Sequence, residues 1–344
     1  MLRPLILLAL AFGLAAPSAA RDEQPLFVPV LDENFPDPFI LPVGDEFLGY
    51  ATNAEGGRAN VQMARSTDLT HWQMIRDGVH LHDAMPVLPP WAREGSTWAP
   101  EVIAVDGGYV LHFTAKERKS GLQCLGAAFS ADPRGPFKSD AAEPLLCQRD
   151  LGGTIDSDVF RDADGQLYLY YKNDGNNPRF HTSTQIYVQR LTADGLHVTG
   201  DPVALAKNDQ PWEAHVIEAP TMVRHQGRYT LFFSANHFGW EPDQNISVYS
   251  IGYAACKGPM GPCTDAADNP ILHSFNDRSA GCLSGPGHQA VFNVGDRQVF
   301  AFHAWAATRD CHLAIPPHRQ LYLAPLGWDG DRPIIGRSLR PASR

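Results

Sequence analysis

The sequence is short of positive charge. It has 28 lysines and arginines against 38 aspartates and glutamates, which gives a formal net charge of −10. Nucleic acids and anionic membranes attract proteins through lysine and arginine, so an acidic chain matches neither of them. The composition therefore excludes nucleic acid and membrane as expected partners and favours a neutral or weakly charged ligand.

Motifs of several other chemistries are missing. The sequence contains no GxSxG nucleophile motif, no HExxH zinc motif, no Walker glycine loop and no GxGxxG dinucleotide fingerprint. None of its six cysteines forms a CxxC pair, which argues against zinc and thioredoxin-like redox sites. Catalysis by a nucleophilic serine, zinc-dependent peptide cleavage and nucleotide-dependent reactions therefore lack support.

Long apolar runs are also scarce, and the one at the start is too short for a comfortable membrane span. Arg3 supplies a positive charge, residues 5–14 are apolar, and the small residues "PSAA" precede Arg21. This pattern is typical of a cleaved secretory signal. We therefore predict a signal peptide over residues 1–20 and one exported catalytic domain over residues 21–344, secreted to the exterior or the periplasm.

The six cysteines all follow the predicted signal peptide. An even number of cysteines in an exported protein indicates disulfide bonds, although six cysteines allow fifteen complete pairings. Nearness along the chain favours two of the pairs and leaves the third, so the predicted bridges are Cys256–Cys263, Cys282–Cys311 and Cys124–Cys147.

Turn-forming residues are abundant, with 28 prolines and 30 glycines. Five segments share a short apolar run, a Gly or Asp turn, and then alternating aromatic and aliphatic residues, which is a β-hairpin pattern. A repeat of about sixty residues predicts an all-β fold, a five-bladed β-propeller with four-stranded antiparallel blades. A two-sheet sandwich is the alternative, but it does not explain the fivefold recurrence. The turn glycines of the five segments are Gly44, Gly107, Gly165, Gly227 and Gly295.

Three acids occupy similar places in the repeats. The first strand of every propeller blade lines the central channel, so the residues that begin these strands meet at one end. Counting back seven to nine residues from each turn glycine gives one residue per repeat: Asp37, Trp98, Asp156, Glu218 and His288. Five distant segments are thus expected to surround one hollow with three carboxyl groups, an indole and an imidazole.

Several motifs resemble glycoside hydrolase family 43. They are "DPF", "MARSTDLTHW", "TWAPE", "IDSDVFRDADGQLYL", "EAPTMVRHQGRY" and "GPGHQAVF", in that order over residues 35–329. Each motif is weak alone, but their order on repeating units makes the resemblance fairly specific. The resemblance implies inverting cleavage of glycosidic bonds on a five-bladed propeller.

The resemblance also implies a role for each acid. Inverting cleavage needs a carboxylic acid that protonates the leaving oxygen and a carboxylate that activates water. Asp37, held between two prolines, matches the general base, and Glu218 matches the general acid. Asp156 matches a third acid that orients the proton donor and raises its pKa. His288 matches a histidine that in many members helps to hold calcium or a water cluster, so it is the predicted ligand of a structural calcium ion.

Two of these acids have rivals of the same type nearby. Asp158 lies two residues after Asp156, and Glu213 precedes Glu218 by five. The family's third acid follows an isoleucine directly, and its general acid directly precedes a small residue and a proline, which favours Asp156 and Glu218. Glu101 is expected to be structural.

Three aromatic residues are predicted to bind substrate. A flat ring packs well on the apolar face of a sugar. Trp98 is the first choice because it lies among the acids, and Phe39 and Trp212 are expected to line the cleft as well.

The resemblance implies an enzyme that acts on pentose-containing plant cell-wall polysaccharide or its oligomers. Release of α-L-arabinofuranosyl groups from arabinan or arabinoxylan is the first choice, and β-xylosidase and endo-arabinanase are the alternatives. A retaining, fructan-cleaving propeller is disfavoured because Asp37 lacks the preceding asparagine of its Asn-Asp-Pro motif. A catalytically inactive sugar-binding propeller is the alternative of another class. No cofactor for the chemistry and no obligate protein partner are expected.

Overall fold

The computed structural model describes most of the chain, namely residues 26–54, 58–240, 246–277, 280–308 and 310–339. The predicted signal peptide over residues 1–20 lies outside this part. The described chain is almost entirely β-strand, with short 3₁₀ turns at Arg149–Leu151 and Pro211–Glu213. None of its helices is long and apolar enough to cross a membrane.

The strands form five antiparallel sheets that are the blades of a propeller, which confirms the predicted fold class. Blade 1 contains β1 (Phe39–Val43), β2 (Glu46–Ala51), β3 (Gln62–Ser66) and β4 (Gln73–Met74). A small hairpin follows, with β5 (Arg76–Asp77) and β6 (His80–Leu81). Blade 2 contains β7 (Ala92–Val105), β8 (Gly108–Glu117) and β9 (Gln123–Ser130). Blade 3 contains β10 (Thr154–Arg161), β11 (Leu167–Asn173), β12 (Gln185–Leu191) and β13 (Val198–Lys207).

The last two blades complete the ring. Blade 4 contains β14 (Ile217–His225), β15 (Arg228–Ala235), β16 (Ser250–Cys256) and β17 (Cys263–Asp265). Blade 5 contains β18 (Phe275–Asp277), β19 (Gly281–Val294), β20 (Arg297–Trp305), β21 (Arg319–Asp329) and β22 (Arg332–Ile335). The predicted four strands per blade hold for blades 1, 3 and 4. Blade 2 has three strands and an isolated bridge between Phe129 and Lys138, while β18 adds a fifth strand to blade 5.

The five predicted turn glycines all have positive φ, from 56° at Gly44 to 88° at Gly165. Each connects the first long strand of a blade to the next strand. Glycine adopts this backbone region without the steric cost of a Cβ atom, so these turns recur wherever the repeat places glycine. The sequence repeat and the structural repeat therefore coincide at the hairpins.

The beginning of the described chain closes the ring by pairing with blade 5. Leu31 and Leu321 form an antiparallel bridge, and the Phe35 amide donates to the Arg319 carbonyl at 2.8 Å. The Asn34 side-chain oxygen in turn accepts from the Arg319 amide at 3.0 Å. The chain just before blade 1 is thus fixed to the first residue of β21.

All three predicted disulfide bonds are present, and the described chain has no free cysteine. Cys124–Cys147 ties β9 to the segment that leads to blade 3, and Cys256–Cys263 joins β16 to β17. Cys282–Cys311 ties the start of β19 to the segment before β21. Each bridge is confined to one blade or its adjoining loop, so none of the three disulfides joins one blade to another.

Two buried carboxyl groups join three blades along the channel. Glu101 on β7 accepts from the Val159 amide on β10 at 3.0 Å, and Asp158 on β10 accepts from the Met222 amide on β14 at 2.9 Å. The two carboxyls also bond to each other, which requires a proton between them. Burial raises the pKa of Asp158 to about 7 and that of Glu101 well above its usual value. Asp158, the rival of Asp156, thus has a structural role, as predicted for Glu101.

This shared proton predicts that the protein loses stability as pH rises. Between pH 3.8, the ordinary pKa of an aspartate, and about 7, the folded state binds more protons at this pair than the unfolded state. The free energy of unfolding therefore falls with rising pH through this window, by about 1.4 kcal/mol for each unit of pKa shift. Glu101→Gln retains both hydrogen bonds without the proton, so its melting temperature is expected to change less between pH 5 and pH 8. Equal slopes for the variant and the wild type would contradict this account.

Candidate active site

One residue at the inner edge of each blade has an unusual backbone conformation. The five φ angles lie between 46° and 56°, where residues with a Cβ atom are rarely found. The pairing of the first long strand with the next one shifts register nearby in blades 2 to 5. Such strain costs about 1–3 kcal/mol per residue and clusters at functional sites. The five residues are Asp37, Ala99, Asp156, Ala219 and His288.

This conformation refines the predicted equivalence of the five positions. Asp37, Asp156 and His288 share it, but Glu218 and Trp98 each lie one residue before the blade's positive-φ residue. Counting back from the glycines missed this difference because a bulge changes the number of residues between the turn and the channel. Glu218 therefore enters the site from a different backbone position than the other two acids.

Asp37 lies in a cluster of positive and polar groups. The Arg319 guanidinium donates to Asp37 Oδ1 at 2.9 Å, and the Thr52 hydroxyl donates to Oδ2 at 2.5 Å. His288 Nδ1 lies 3.4 Å from Oδ1. Burial alone would raise the pKa of Asp37, but Arg319, His288 and Thr52 together hold it well below its usual range. Asp37 is therefore a fixed carboxylate, the form that a general base needs.

His303 supports Asp37 as a neutral imidazole. The Asp37 amide donates to His303 Nδ1 at 3.0 Å, so this nitrogen carries no proton. Burial and the nearby Arg319 lower the pKa of His303 well below its ordinary value. The positive charge that stabilises Asp37 therefore comes from Arg319 and not from His303.

Asp156 lies against the backbone that carries Glu218. Its Oδ2 accepts from the Ala219 amide at 3.1 Å, which fixes the peptide next to Glu218. Burial raises the pKa of Asp156 to about 6, and the Glu218 carboxyl adds to the rise while His288 and Lys172 oppose it. Asp156 thus fixes the peptide that follows Glu218, and its role as the third acid stays a prediction.

Glu218 is only 9% exposed, and both of its oxygens accept hydrogen bonds. The Tyr249 hydroxyl donates to Oε1 at 2.8 Å, and the Lys172 ammonium donates to Oε2 at 3.2 Å. Its rival Glu213 lies outside this cluster, where Oε2 accepts from the Asp209 and Gln210 amides at 2.8 Å. The geometry therefore favours Glu218 over Glu213 as a candidate acid.

The three predicted acids line one cavity of 620 Å³, together with Trp98 and His288. Phe39 and Trp212 do not line it. Phe39 is the first residue of β1 and packs against Tyr50 with a centroid distance of 6.4 Å, and Trp212 stacks on Phe233 at 5.7 Å. Both rings are partly buried against apolar neighbours, so the structure gives them a packing role away from this cavity.

A second cavity, of 650 Å³, adjoins the first. Glu218, Asn176, Pro178 and Phe238 line both of them. Hydroxyl, amide and imidazole groups dominate the rest of its lining, from residues that include His181, Thr182, Ser183, Asn208, His215 and Asn236. The combined cleft exceeds the size of one sugar ring and continues past Glu218 into the second cavity, which Asp37 does not line.

The side chains around His288 do not fit a tightly held calcium ion. Ca²⁺ takes six to eight oxygen ligands, whereas the one carboxylate within ion-pair distance of His288 among the described residues is Asp37, already paired with Arg319. Among the described residues, one group of at least three Asp, Glu, Cys or His side chains lies close enough together to share an ion. It consists of Glu117 and the disulfide-bonded Cys124 and Cys147. The described side chains therefore give no support for calcium at His288, which stays a prediction.

Sequence reasoning missed five residues that contact the acids. Lys172 and His303 lie on β11 and β20, and Arg319 begins β21. Thr52 directly follows β2, and Tyr249 directly precedes β16. None of them recurs at matching positions of the repeats, so the periodicity that revealed the acids gives no signal for them. The chemical signal was limited to the presence of lysine and arginine within otherwise apolar or strand-like segments.

Three carboxyl groups meet in a sugar-sized cavity of a five-bladed propeller. One of them is held ionised, and another is hydrogen-bonded at the cavity wall. This fold and site define the class of the protein, which is that of the glycoside hydrolases. Comparison with known proteins gives the particular family. The sequence model of "Glycosyl hydrolases family 43" matches residues 28–333, and the chain belongs to this family.

The chain is similar to several named proteins. It is 30% identical to the extracellular endo-alpha-(1->5)-L-arabinanase of Thermotoga petrophila, over 88% of this chain and 64% of that protein. It is 24% identical to the extracellular endo-alpha-(1->5)-L-arabinanase 1 of Bacillus subtilis, over 94% of both chains. A crystal structure of a thermostable family-43 glycoside hydrolase superposes with a TM-score of 0.72 at 27% identity, over 90% of this chain and 96% of that one. The chain thus spans less than two thirds of the first relative and nearly all of the second.

Proposed function

We propose that this protein is an inverting glycosidase that cleaves pentose linkages, with Asp37 as general base, Glu218 as general acid and Asp156 as the residue that orients Glu218. The observation that carries the proposal is the contrast between the acids. Arg319 and Thr52 hold Asp37 as a carboxylate, whereas Glu218 lies on the wall between two cavities, where a leaving group can reach it.

The proposed reaction is a single displacement. Glu218 donates its proton to the glycosidic oxygen as the bond from that oxygen to the anomeric carbon breaks. A water molecule attacks the opposite face of the sugar and gives its proton to Asp37, which inverts the configuration. Asp156 holds the peptide after Glu218, and Trp98 offers a ring on which the sugar can stack. These residues supply acid and base, so the chemistry needs no cofactor.

The proposed substrate is an arabinose-containing or xylose-containing polysaccharide of plant cell walls, or its oligomers. The names of the relatives support a pentose, since they include endo-arabinanases and a non-reducing end alpha-L-arabinofuranosidase of Bacteroides ovatus, 24% identical to this chain. Release of terminal α-L-arabinofuranosyl groups is the first choice. β-Xylosidase is the alternative that the Vibrio xylan 1,3-beta-xylosidase, also 24% identical, supports.

Endo-arabinanase action is a further candidate because of the second cavity. An enzyme that cuts within a chain needs room for sugars on both sides of the broken bond, and the cleft continues past Glu218. We also propose secretion, since two relatives are named as extracellular and three disulfide bonds suit an oxidising compartment.

A substrate panel tests the proposal. The purified enzyme is assayed on nitrophenyl α-L-arabinofuranoside, nitrophenyl β-D-xyloside and linear arabinan, and proton NMR identifies the first-formed anomer. The expected result is release from at least one substrate with inversion. No release from any of them would favour a sugar-binding propeller, and a retained anomer would contradict the assignment of Asp37 as base.

A further inference from the structure

A fully buried lysine lies behind the candidate acid. Lys172 is on β11, the second strand of blade 3, where its backbone pairs with Ile155 and Ile186 of the flanking strands. Its side chain is 0% exposed, and its ammonium donates to Glu218 Oε2 at 3.2 Å and to Asn176 Oδ1 at 2.6 Å. Lysine is almost never fully buried unless its charge is compensated. In the described part of the chain, Glu218 is the one carboxylate within ion-pair distance of this ammonium.

The two oxygens of Glu218 therefore have partners of different charge. Oε1 accepts from the Tyr249 hydroxyl, and burial together with the nearby Glu218 raises the pKa of Tyr249 well above its usual value. Tyr249 is thus a neutral donor. The ammonium of Lys172 is the positive charge in direct contact with Glu218 through Oε2.

The charge of Glu218 changes during the proposed reaction. Before the reaction it carries the proton that the leaving oxygen will receive, and afterwards it is a carboxylate in a buried site that also contains Asp156. An ammonium at 3.2 Å attracts the carboxylate more strongly than the neutral acid. An interaction that is stronger in the transition state than in the ground state accelerates the chemical step.

We propose that Lys172 is a positioning residue for the general acid, which it holds through Oε2 and whose negative charge it stabilises as the proton leaves. This inference rests on the proposed function. Lys172 lines neither cavity, so it acts through Glu218 and not on the substrate. Its bond to Asn176, which lines both cavities, fixes the ammonium between the acid and the cleft wall.

The leaving group provides a readout that a purely structural role would not move. A nitrophenolate departs with little protonation, whereas a sugar alkoxide needs the proton of Glu218. Lys172→Met removes the charge at similar volume, and we expect it to lower kcat on an arabino-oligosaccharide about tenfold more than kcat on the matching nitrophenyl glycoside.

Two further variants make the test specific. Lys116→Met deletes the same charge from a lysine that lines the first cavity but is not among the described ion-pair partners of Glu218. It is expected to change both rates by one common factor. Lys172→Gln keeps hydrogen-bond donors but no charge, so it is expected to reproduce the tenfold difference in ratio. If circular dichroism shows that Lys172→Met is unfolded, the two rates are compared in Lys172→Gln instead.

Each outcome decides the matter. Equal losses on both substrates, or a wild-type ratio in Lys172→Gln, would overturn the role of Lys172 while leaving the glycosidase assignment intact. A wild-type enzyme that is inactive on every pentoside contradicts the proposed function itself. Lys116→Met with the same change of ratio as Lys172→Met would mean that net charge in the cleft, and not contact with the acid, sets the effect.

Discussion

Glu218→Gln is expected to lower kcat on an arabino-oligosaccharide by about 10³-fold, within the range that general acid catalysis contributes. Glutamine retains the shape of the side chain, its amide oxygen can accept from Lys172, and its NH₂ group can donate to the Tyr249 oxygen. It has no acidic proton to give to the leaving oxygen. The loss on a nitrophenyl glycoside is expected to be much smaller, because a nitrophenolate leaves without help. Steady-state rates on the two substrates measure this difference.

The rival acid offers a matched control. Glu213→Gln makes the same change in a buried glutamate that does not line the first cavity and that holds the amides of Asp209 and Gln210. It is expected to shift the melting temperature and to leave the ratio of the two rates as in the wild type. If Glu213→Gln lost the oligosaccharide rate and Glu218→Gln kept it, the acid would have to be reassigned.

Alanine at Glu218 has a second cost that is smaller for glutamine. Alanine leaves the buried ammonium of Lys172 without any acceptor at position 218, whereas glutamine removes the negative charge but keeps an amide oxygen for the ammonium. Removing one partner of a buried ion pair typically costs about 3–5 kcal/mol. A larger drop in the melting temperature of Glu218→Ala than of Glu218→Gln is therefore expected. Activity lost in the alanine variant is for this reason weaker support for catalysis than activity lost in the glutamine variant.

Asp37→Asn is expected to lower kcat by about 10³-fold on both kinds of substrate. The attacking water must lose its proton whatever the leaving group is, so the loss should not depend on the leaving group. Asparagine still offers an oxygen to Arg319, and its NH₂ group can donate to the Thr52 hydroxyl oxygen, which keeps the local geometry. If the loss of kcat is independent of the leaving group in Asp37→Asn but depends on it in Glu218→Gln, the two results distinguish the base from the acid.

Asp164→Asn is the matched control for this change. Asp164 is an exposed acid in the blade 3 hairpin turn, where it accepts from the Gln166 amide at 3.0 Å. The same substitution there removes one negative charge without touching the cavity, and wild-type rates are expected. Should Asp37→Asn retain the wild-type rate on either substrate, Asp37 would not be the base.

Much of the fold was predictable because its repeat consists of turn glycines and apolar strand residues, whose conformations depend on the local sequence. The same repeat predicted that Asp37, Asp156 and Glu218 meet, because strands that begin a blade share one end of the channel. It did not predict the bulge that places Glu218 one residue before the positive-φ residue of its blade, since a bulge depends on how a strand pairs with its neighbours. Arg319 and Lys172 were also unpredictable, because their contacts arise between segments with no common period.

The ring closure near Asp37 has a consequence for biosynthesis. The proposed base follows directly after the segment that pairs with β21, and its guanidinium partner is the first residue of that strand. A ribosome makes Asp37 282 residues before Arg319, so the proposed base of a nascent chain lacks its guanidinium partner until blade 5 docks. Catalytic competence therefore requires synthesis through blade 5, and a protease that removes the segment before blade 1 would both inactivate the enzyme and open the ring.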